Sequence, residues 1–169
     1  MDDIAALIEP QIPGLRRYAW ALLRDHDAAD DLVQDTLERA LARWALRRRD
    51  ADLRAWLFTI QRNLFVNGLR ERVRRGAHLG GEALEHVAAE VAHPDGAMHA
   101  RDVLAGLDLL SEEQRSVLLL VGVEDLSYDE AARVLGVPVG TVMSRLSRGR
   151  ERLRQVMEHG RSALLRRVK

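Results

Sequence analysis

Residues 127–154 read SYDEAARVLGVPVGTVMSRLSRGRERLR, and their spacing has the anatomy of a helix-turn-helix. Ser127 opens a capping box, S-Y-D-E, that Glu130 closes. Counting from Tyr128, the small Ala132 falls at position five, Gly136 at nine and Val142 at fifteen. A small residue lets two helices cross closely, and a glycine takes the left-handed conformation that ends the first of them. A β-branched residue then locks the second helix against the first. Pro138 restarts the chain where its missing N–H does no harm. The outer face of the second helix carries Thr141, Ser144, Arg145, Arg148 and Arg152 at 3–4 spacing, with Val139 and Gly140 at its start. A major groove admits such a helix, and Arg is the commonest reader of guanine O6 and N7. Gly140 permits close approach to a backbone or base edge. The bland alternative is an αα-hairpin with solvated arginines.

Upstream of this motif, Val103, Leu104, Leu107 and Leu110 make a short helix. Ser111 begins S-E-E-Q, a second capping box in which Gln114 can reach back to the Ser111 amide. Val117–Val121 is an apolar run that reads as core. The last helix turns Val139, Val142, Leu146, Leu153 and Val156 inward. A four-helix domain of about 69 residues results, with no strand signal of any length. Charge is unevenly placed. Residues 133–169 hold ten basic and two acidic residues, whereas 101–132 hold two and eight. Such a one-sided surplus suits a phosphate-binding surface.

Residues 76–100, GAHLGGEALEHVAAEVAHPDGAMHA, carry four glycines, a proline and four of the six histidines. The stretch reads as a flexible acidic linker. Histidines 78, 86, 93 and 99 are spaced by eight, seven and six, so no pair shares a helical face and no metal site is expected.

The N-terminal part reads as three amphipathic helices. Ile12, Leu15, Tyr18, Ala19, Leu22 and Leu23 follow Pro10 and Pro13. Ala29, Leu32, Val33, Thr36, Leu37, Ala40, Leu41 and Trp44 form the next stripe, with Asp25 or Asp27 as its cap. RRRDAD (47–52) interrupts the pattern. Leu53, Trp56, Leu57, Ile60 and Leu64 make the third stripe, capped by Asp52 and trailing into arginines up to Arg75. Six of the seven aromatics lie within residues 18–65. AWLFTIQRNLFVNGLRER (55–72) interleaves three of them with two asparagines and arginines. Unpaired bases stack on rings and offer edges to amides, so this segment suits single-stranded nucleic acid. Trp56 also lies on the apolar stripe and has a core reading; Asn63 and Asn67 are harder to explain as packing.

The 169 residues balance 26 basic against 26 acidic side chains, and 25 of the basic ones are Arg. The absence of cysteine excludes disulfide scaffolds, thiolate zinc sites and cysteine nucleophiles. MDDIAALIEP carries no basic n-region, so no signal peptide is expected there, and no apolar run approaches the ~20 residues of a membrane helix. A soluble cytoplasmic protein is the default reading. GxSxG, HExxH, Walker and GxGxxG patterns are missing, so neither an enzyme nor a cofactor is expected.

DAADDLVQDTLERAL (27–41), LRAWLFTIQRNLFVNGLRERVRR (53–75) and LDLLSEEQRSVLLLVGVEDLSYDEAARVLGVPVGTVMSRLSRGRERL (107–153) together resemble bacterial RNA polymerase sigma factors of the extracytoplasmic-function group. There is a looser likeness to the general stress-response subgroup. The resemblance covers both domains in order, through D-L-V-Q-D/E, W-L-x-x-I-x-x-N and G-T-V-x-S-R-L-x-R-x-R. It implies an all-α chain of two small domains: region 2 over 1–76, an acidic linker over 77–100 that threads the polymerase cleft, and region 4 over 101–169. It implies core RNA polymerase and promoter DNA as partners, and an anti-sigma factor as regulator. Asp31, Leu32, Gln34 and Asp35 would dock on the polymerase. Trp56, Arg62, Asn63, Asn67 and Arg70 would open and read the minus-ten element. Val139, Gly140, Thr141, Ser144, Arg145 and Arg148, with Arg152 beyond them, would meet the minus-thirty-five element. Asn67 departs from the family, where Asp is common, as does Gly149, where Ala is frequent and a mid-helix Gly costs ~1 kcal/mol. The rivals are a stand-alone helix-turn-helix repressor, a helical adaptor or anti-sigma-binding protein with no DNA role, and last an enzyme using the scattered histidines.

Overall fold

The structure, a computed structural model, describes residues 2–48, 52–78 and 103–167, with side chains for 4–48, 52–76 and 103–158. Among them there are helices and turns and no strand. The linker read over 77–100 lies outside the described residues except for the backbone of its first two. The chain divides into two compact units.

The first unit begins with a short helix that the stripes had not announced, α1 (Asp2–Ile8), and a 3-10 turn, Glu9–Gln11, containing Pro10. α2 (Ile12–Leu23) carries Pro13 in its first turn, where no helical bond requires its N–H. It ends at Arg24, whose φ of 56° puts a non-glycine residue in the left-handed region; its N–H closes the helix on Trp20 O at 2.8 Å. α3 (His26–Ala42) is capped by Asp25, which accepts from the Ala28 N–H at 2.8 Å, a contribution of ~1 kcal/mol. Asp27 falls in the first turn instead. A 3-10 turn, Trp44–Leu46, follows. α4 (Leu53–His78) is capped by Asp52 through the Ala55 N–H at 2.7 Å and continues past Gly76, where the linker was expected to start.

α4 packs on both α2 and α3, which decides what it buries. Its N-terminal half hides Ala55, Leu57, Phe58, Ile60, Gln61, Arg62 and Phe65, more than one stripe's worth. Tyr18 and Phe58 meet edge to face at 5.4 Å, a pair worth ~0.5–1.5 kcal/mol beyond area burial. Gln61, fully buried, donates from Nε2 to Leu15 O at 3.0 Å and so ties α4 to α2. On α3 the expected stripe is buried at Ala29, Leu32, Val33, Thr36 and Ala40, but Leu41 is exposed. α3 has turned it away from its partners by the last turn.

Residues 103–167 form α5 (103–108), α6 (Glu112–Gly122), α7 (Tyr128–Leu135) and α8 (Val139–Arg167), all but the last turn of α7 in the second unit. Val117, Leu118, Leu119 and Leu120 are buried, Val121 at the end of the expected core run is half-buried, and α6 packs on α8. Arg115 holds the end of α5 to α6: its Nε donates to Leu107 O at 2.9 Å and Nη2 to Leu110 O at 3.4 Å. Nothing in the periodicity signals that role. The box at Ser111 is half formed, since Ser111 Oγ accepts from the Gln114 N–H at 3.3 Å and no return bond from Gln114 forms. The box at Ser127 is complete: Glu130 Oε2 accepts from the Ser127 N–H at 2.7 Å and Ser127 Oγ from the Glu130 N–H at 3.2 Å. Gly136 has a φ of +65°, and the Val137 N–H reaches Ala132 O at 3.1 Å, the six-residue closure of a glycine-terminated helix.

Candidate nucleic-acid interface

α8 starts at Val139 behind Pro138 and is held by Val142 and Leu146, both buried. Fixing those two positions fixes the rotation of the rest. Gly140, Arg148 and Arg152 are exposed, and Val139, Thr141, Ser144 and Arg145 are half-buried along the flank. The arginines differ in commitment. Arg148 folds back on its own helix, donating from Nε to Ser144 O at 3.3 Å and from Nη2 to Ser144 Oγ at 3.2 Å. Ser144 Oγ in turn donates to Thr141 O at 3.1 Å. Arg145 and Arg152 have no such partner among the described residues. Arg148, Arg152, Ser147 and Glu151 line an open groove with Leu109 and Gln114. Glu151, the carboxylate in that arginine row, is engaged by Arg154 at 2.8 Å; the bonds from Arg154 and Gln155 hold its carboxyl below the usual range. The Arg154 guanidinium is correspondingly raised by Glu151.

Gly149, where the sequence departs from the family pattern, is buried in the contact between α8 and α6. A Cβ there would lie 3.0 Å from Leu118 Cδ1 and 3.5 Å from Gln114 Cβ. The lower helix propensity is exchanged for closer packing.

In the first unit, Asn63, Asn67 and Arg70 are exposed and fall at i, i+4 and i+7, one face of α4. Trp56 is half-buried and meets Trp44 edge to face at 6.1 Å; Arg47 stands over the Trp44 ring at 5.1 Å. In the sequence Trp44 only ends an apolar stripe, and its place beside Trp56 depends on the fold of the turn between α3 and α4. Arg62 corrects the reading. It is 8 % exposed, facing the interior beside Gln61, and is unavailable as a surface contact. Position 62 sits one residue from the Asn63 face, and ~100° of helical rotation carries it inside.

A third surface lies on α3. Asp31, Gln34 and Asp35 are exposed, and Gln34 donates to Glu38 at 3.0 Å. Asp31 and Asp35 have no partner among the described residues, whereas neighbouring Asp30 is tied to Arg16 at 2.8 Å. Leu32, expected on this surface, is instead core. Leu32 and Val33 turn into the core together, and Asp31, Gln34 and Asp35 around them face outward.

Two helical units, one ending in a helix-turn-helix, define a DNA-binding transcription protein. Comparison with known proteins makes the assignment specific. Residues 8–61 match the family model described as the sigma2 domain of PhyR, and residues 100–153 match that of sigma-70 region 4. The chain is 41% identical over 155 residues to the ECF RNA polymerase sigma factor EcfG of Rhodopseudomonas palustris, covering 90% of this chain and 81% of that one. It also resembles the sigma factor RpoE of Bartonella quintana, solved in complex with the anti-sigma factor NepR. That match has 37% identity and a TM-score of 0.86, over 94% and 98% of the two chains. CnrH, solved with the cytosolic domain of CnrY, matches at 29% identity and a TM-score of 0.68, over 92% and 87%. The chain belongs to the extracytoplasmic-function RNA polymerase sigma factors, and it directs transcription initiation. Its relatives match across both units, so the stand-alone repressor reading has no support.

Proposed function

We propose that the chain binds core RNA polymerase through Asp31, Gln34 and Asp35 of α3 and gives the enzyme its promoter preference through both units. The division into region 2 over 1–76, a linker over 77–100 and region 4 over 101–169 is part of the same reading. On α4, Trp56, Asn63, Asn67 and Arg70 open and read the minus-ten element. An extruded base costs a few kcal/mol to unstack, which amides and rings at its destination offset. On α8, Val139, Gly140, Thr141, Ser144, Arg145, Arg148 and Arg152 meet the minus-thirty-five element. The chain performs no chemistry itself and works in the cytoplasm; no described helix is long and apolar enough to cross a membrane. The likeness to an RpoE captured with its anti-sigma factor supports control by an anti-sigma factor, and the general stress response is the setting that the looser subgroup resemblance implies.

The observation that carries this reading is the coexistence of two uncommitted cations on α8, Arg145 and Arg152, with an exposed amide face on α4. Duplex and unpaired DNA are thereby addressed by separate units of one chain. In vitro transcription with purified core polymerase over a genomic DNA library tests it. Discrete start sites that share two upstream elements are expected. Transcription that is no more selective than core polymerase alone overturns the reading.

A further inference from the structure

Thr141, Ser144 and Arg148 fall at i, i+3 and i+7 of α8, on one side of the helix. The side-chain hydrogen bonds along that side all run in one direction. The Ser144 hydroxyl gives its single proton to Thr141 O at 3.1 Å, which leaves the lone pairs of Oγ to accept. Arg148 Nη2 donates to that oxygen at 3.2 Å, and Arg148 Nε donates to Ser144 O at 3.3 Å. One serine therefore holds the guanidinium by two of its three nitrogens. The neighbouring Arg145 and Arg152 have no such partner among the described residues.

The consequences differ for the two members of the pair. A guanidinium carries five N–H groups, and Ser144 takes two of them. The three that remain lie along the Nη1–Nη2 edge, whose fork matches guanine O6 and N7. An arginine steadied by its own helix has lost part of its rotamer freedom before DNA arrives, so less is lost on binding. Arg148 is exposed and offers that edge outward, whereas Ser144 is half-buried. A phosphate oxygen only accepts, and the one proton of Ser144 is already directed at Thr141 O.

We propose that Ser144 is a positioning residue: it fixes the direction from which Arg148 reads a base, and its share in the minus-thirty-five element is exercised through that fork. This rests on the minus-thirty-five assignment made above.

The test uses the full chain bound to core polymerase and duplex promoter fragments in which each upstream base pair is substituted in turn. Arg148→Ala is expected to lower discrimination at one position by roughly 5- to 150-fold, the range of a bidentate base contact. Ser144→Ala lowers it at the same position by about 2- to 10-fold, as the loss of one hydrogen bond allows. In the Arg148→Ala background Ser144→Ala adds nothing. Ser144→Thr, whose Oγ1 can also bond the i−3 carbonyl, keeps the preference. Ser144→Ala leaves the salt dependence as in the wild type, since no charge is removed. An unchanged preference for Ser144→Ala, losses at different positions for the two single variants, losses that multiply in the double variant, or an equal loss on every fragment each overturns the positioning role. So does a Ser144→Thr variant that behaves like Ser144→Ala. Arg145→Ala separates the two levels of the argument. If it relaxes upstream preference while Ser144→Ala does not, the minus-thirty-five reading stands and the positioning role fails; if Arg145→Ala, Arg148→Ala and Ser144→Ala all leave the preference intact, the minus-thirty-five reading fails as well.

Discussion

Arg62 and Asn63 are adjacent in sequence and about 100° apart around α4: the guanidinium is buried at 8 % exposure, and the amide is in solvent. Both types suit nucleic acid, yet only one is available to it. Arg62→Ala is expected to act through the fold, leaving a void where a long side chain was packed and destabilising the unit by about 2–3 kcal/mol. Asn63→Ala, an exposed change, is expected to stay within ~0.5 kcal/mol in stability. It should instead slow open-complex formation on duplex promoters far more than on templates with a pre-opened bubble. Thermal melts and the two template types measure this pair. An Asn63→Ala loss equal on both templates means that the amide reads the base without driving melting.

The polymerase surface is tested by reversing Asp31 and Asp35 to Arg. Neither carboxylate has a partner among the described residues, so the double change breaks no bond in the fold, and helicity is expected to hold. Association with core polymerase should be lost. Undiminished co-purification of the double variant with the polymerase removes these acids from the interface. Leu32→Ala, by contrast, is expected to cost about 2–3 kcal/mol in stability, because Leu32 is core.

Within α8, Arg145 and Arg152 are both uncommitted but sit at different depths. Arg145 is half-buried on the flank held by Val142 and Leu146, whereas Arg152 is exposed near the end of the groove. Arg145→Ala is expected to relax preference at one or two upstream positions, a discrimination of ~1–3 kcal/mol. Arg152→Ala should weaken binding across all sequences and flatten its salt dependence. A panel of promoter variants scored at two salt concentrations separates the two effects. Uniform loss from Arg145→Ala with altered preference from Arg152→Ala would exchange the roles.

At Gly149, two effects oppose each other. Alanine brings ~1 kcal/mol of helix propensity. It also places a Cβ 3.0 Å from Leu118 Cδ1, and Leu118 is itself buried. Overpacking costs about 1–3 kcal/mol, so Gly149→Ala is expected to destabilise the second unit by ~1 kcal/mol net. Denaturant unfolding gives the sign directly; a stabilised variant means that Leu118 repacks without strain.

Much of this was legible in the sequence because it is local. The caps at Asp25, Asp52 and Ser127 and the left-handed Gly136 each depend on residues within about a turn of one another. Their chemistry is complete before any helix meets another. The resemblance extended the reading to surface residues: Asp31, Asp35 and Asn63 are exposed and Arg145 is half-buried. Tertiary structure decided what periodicity could not. Because α4 is covered by α2 and α3 together, it buries Phe58, Gln61, Arg62 and Phe65 beside Leu57 and Ile60, while Leu53, Trp56 and Leu64 of the expected stripe stay half-buried. Leu32 turns into the core while Leu41 is left in solvent, since the covered arc of α3 does not extend unchanged to its end. Trp44 meets Trp56, and Arg115 clasps α5, through approaches between separate elements. A 3.6-residue repeat states which side chains share a face, but how wide a face is covered depends on the number of neighbours, and that is a property of the assembled fold.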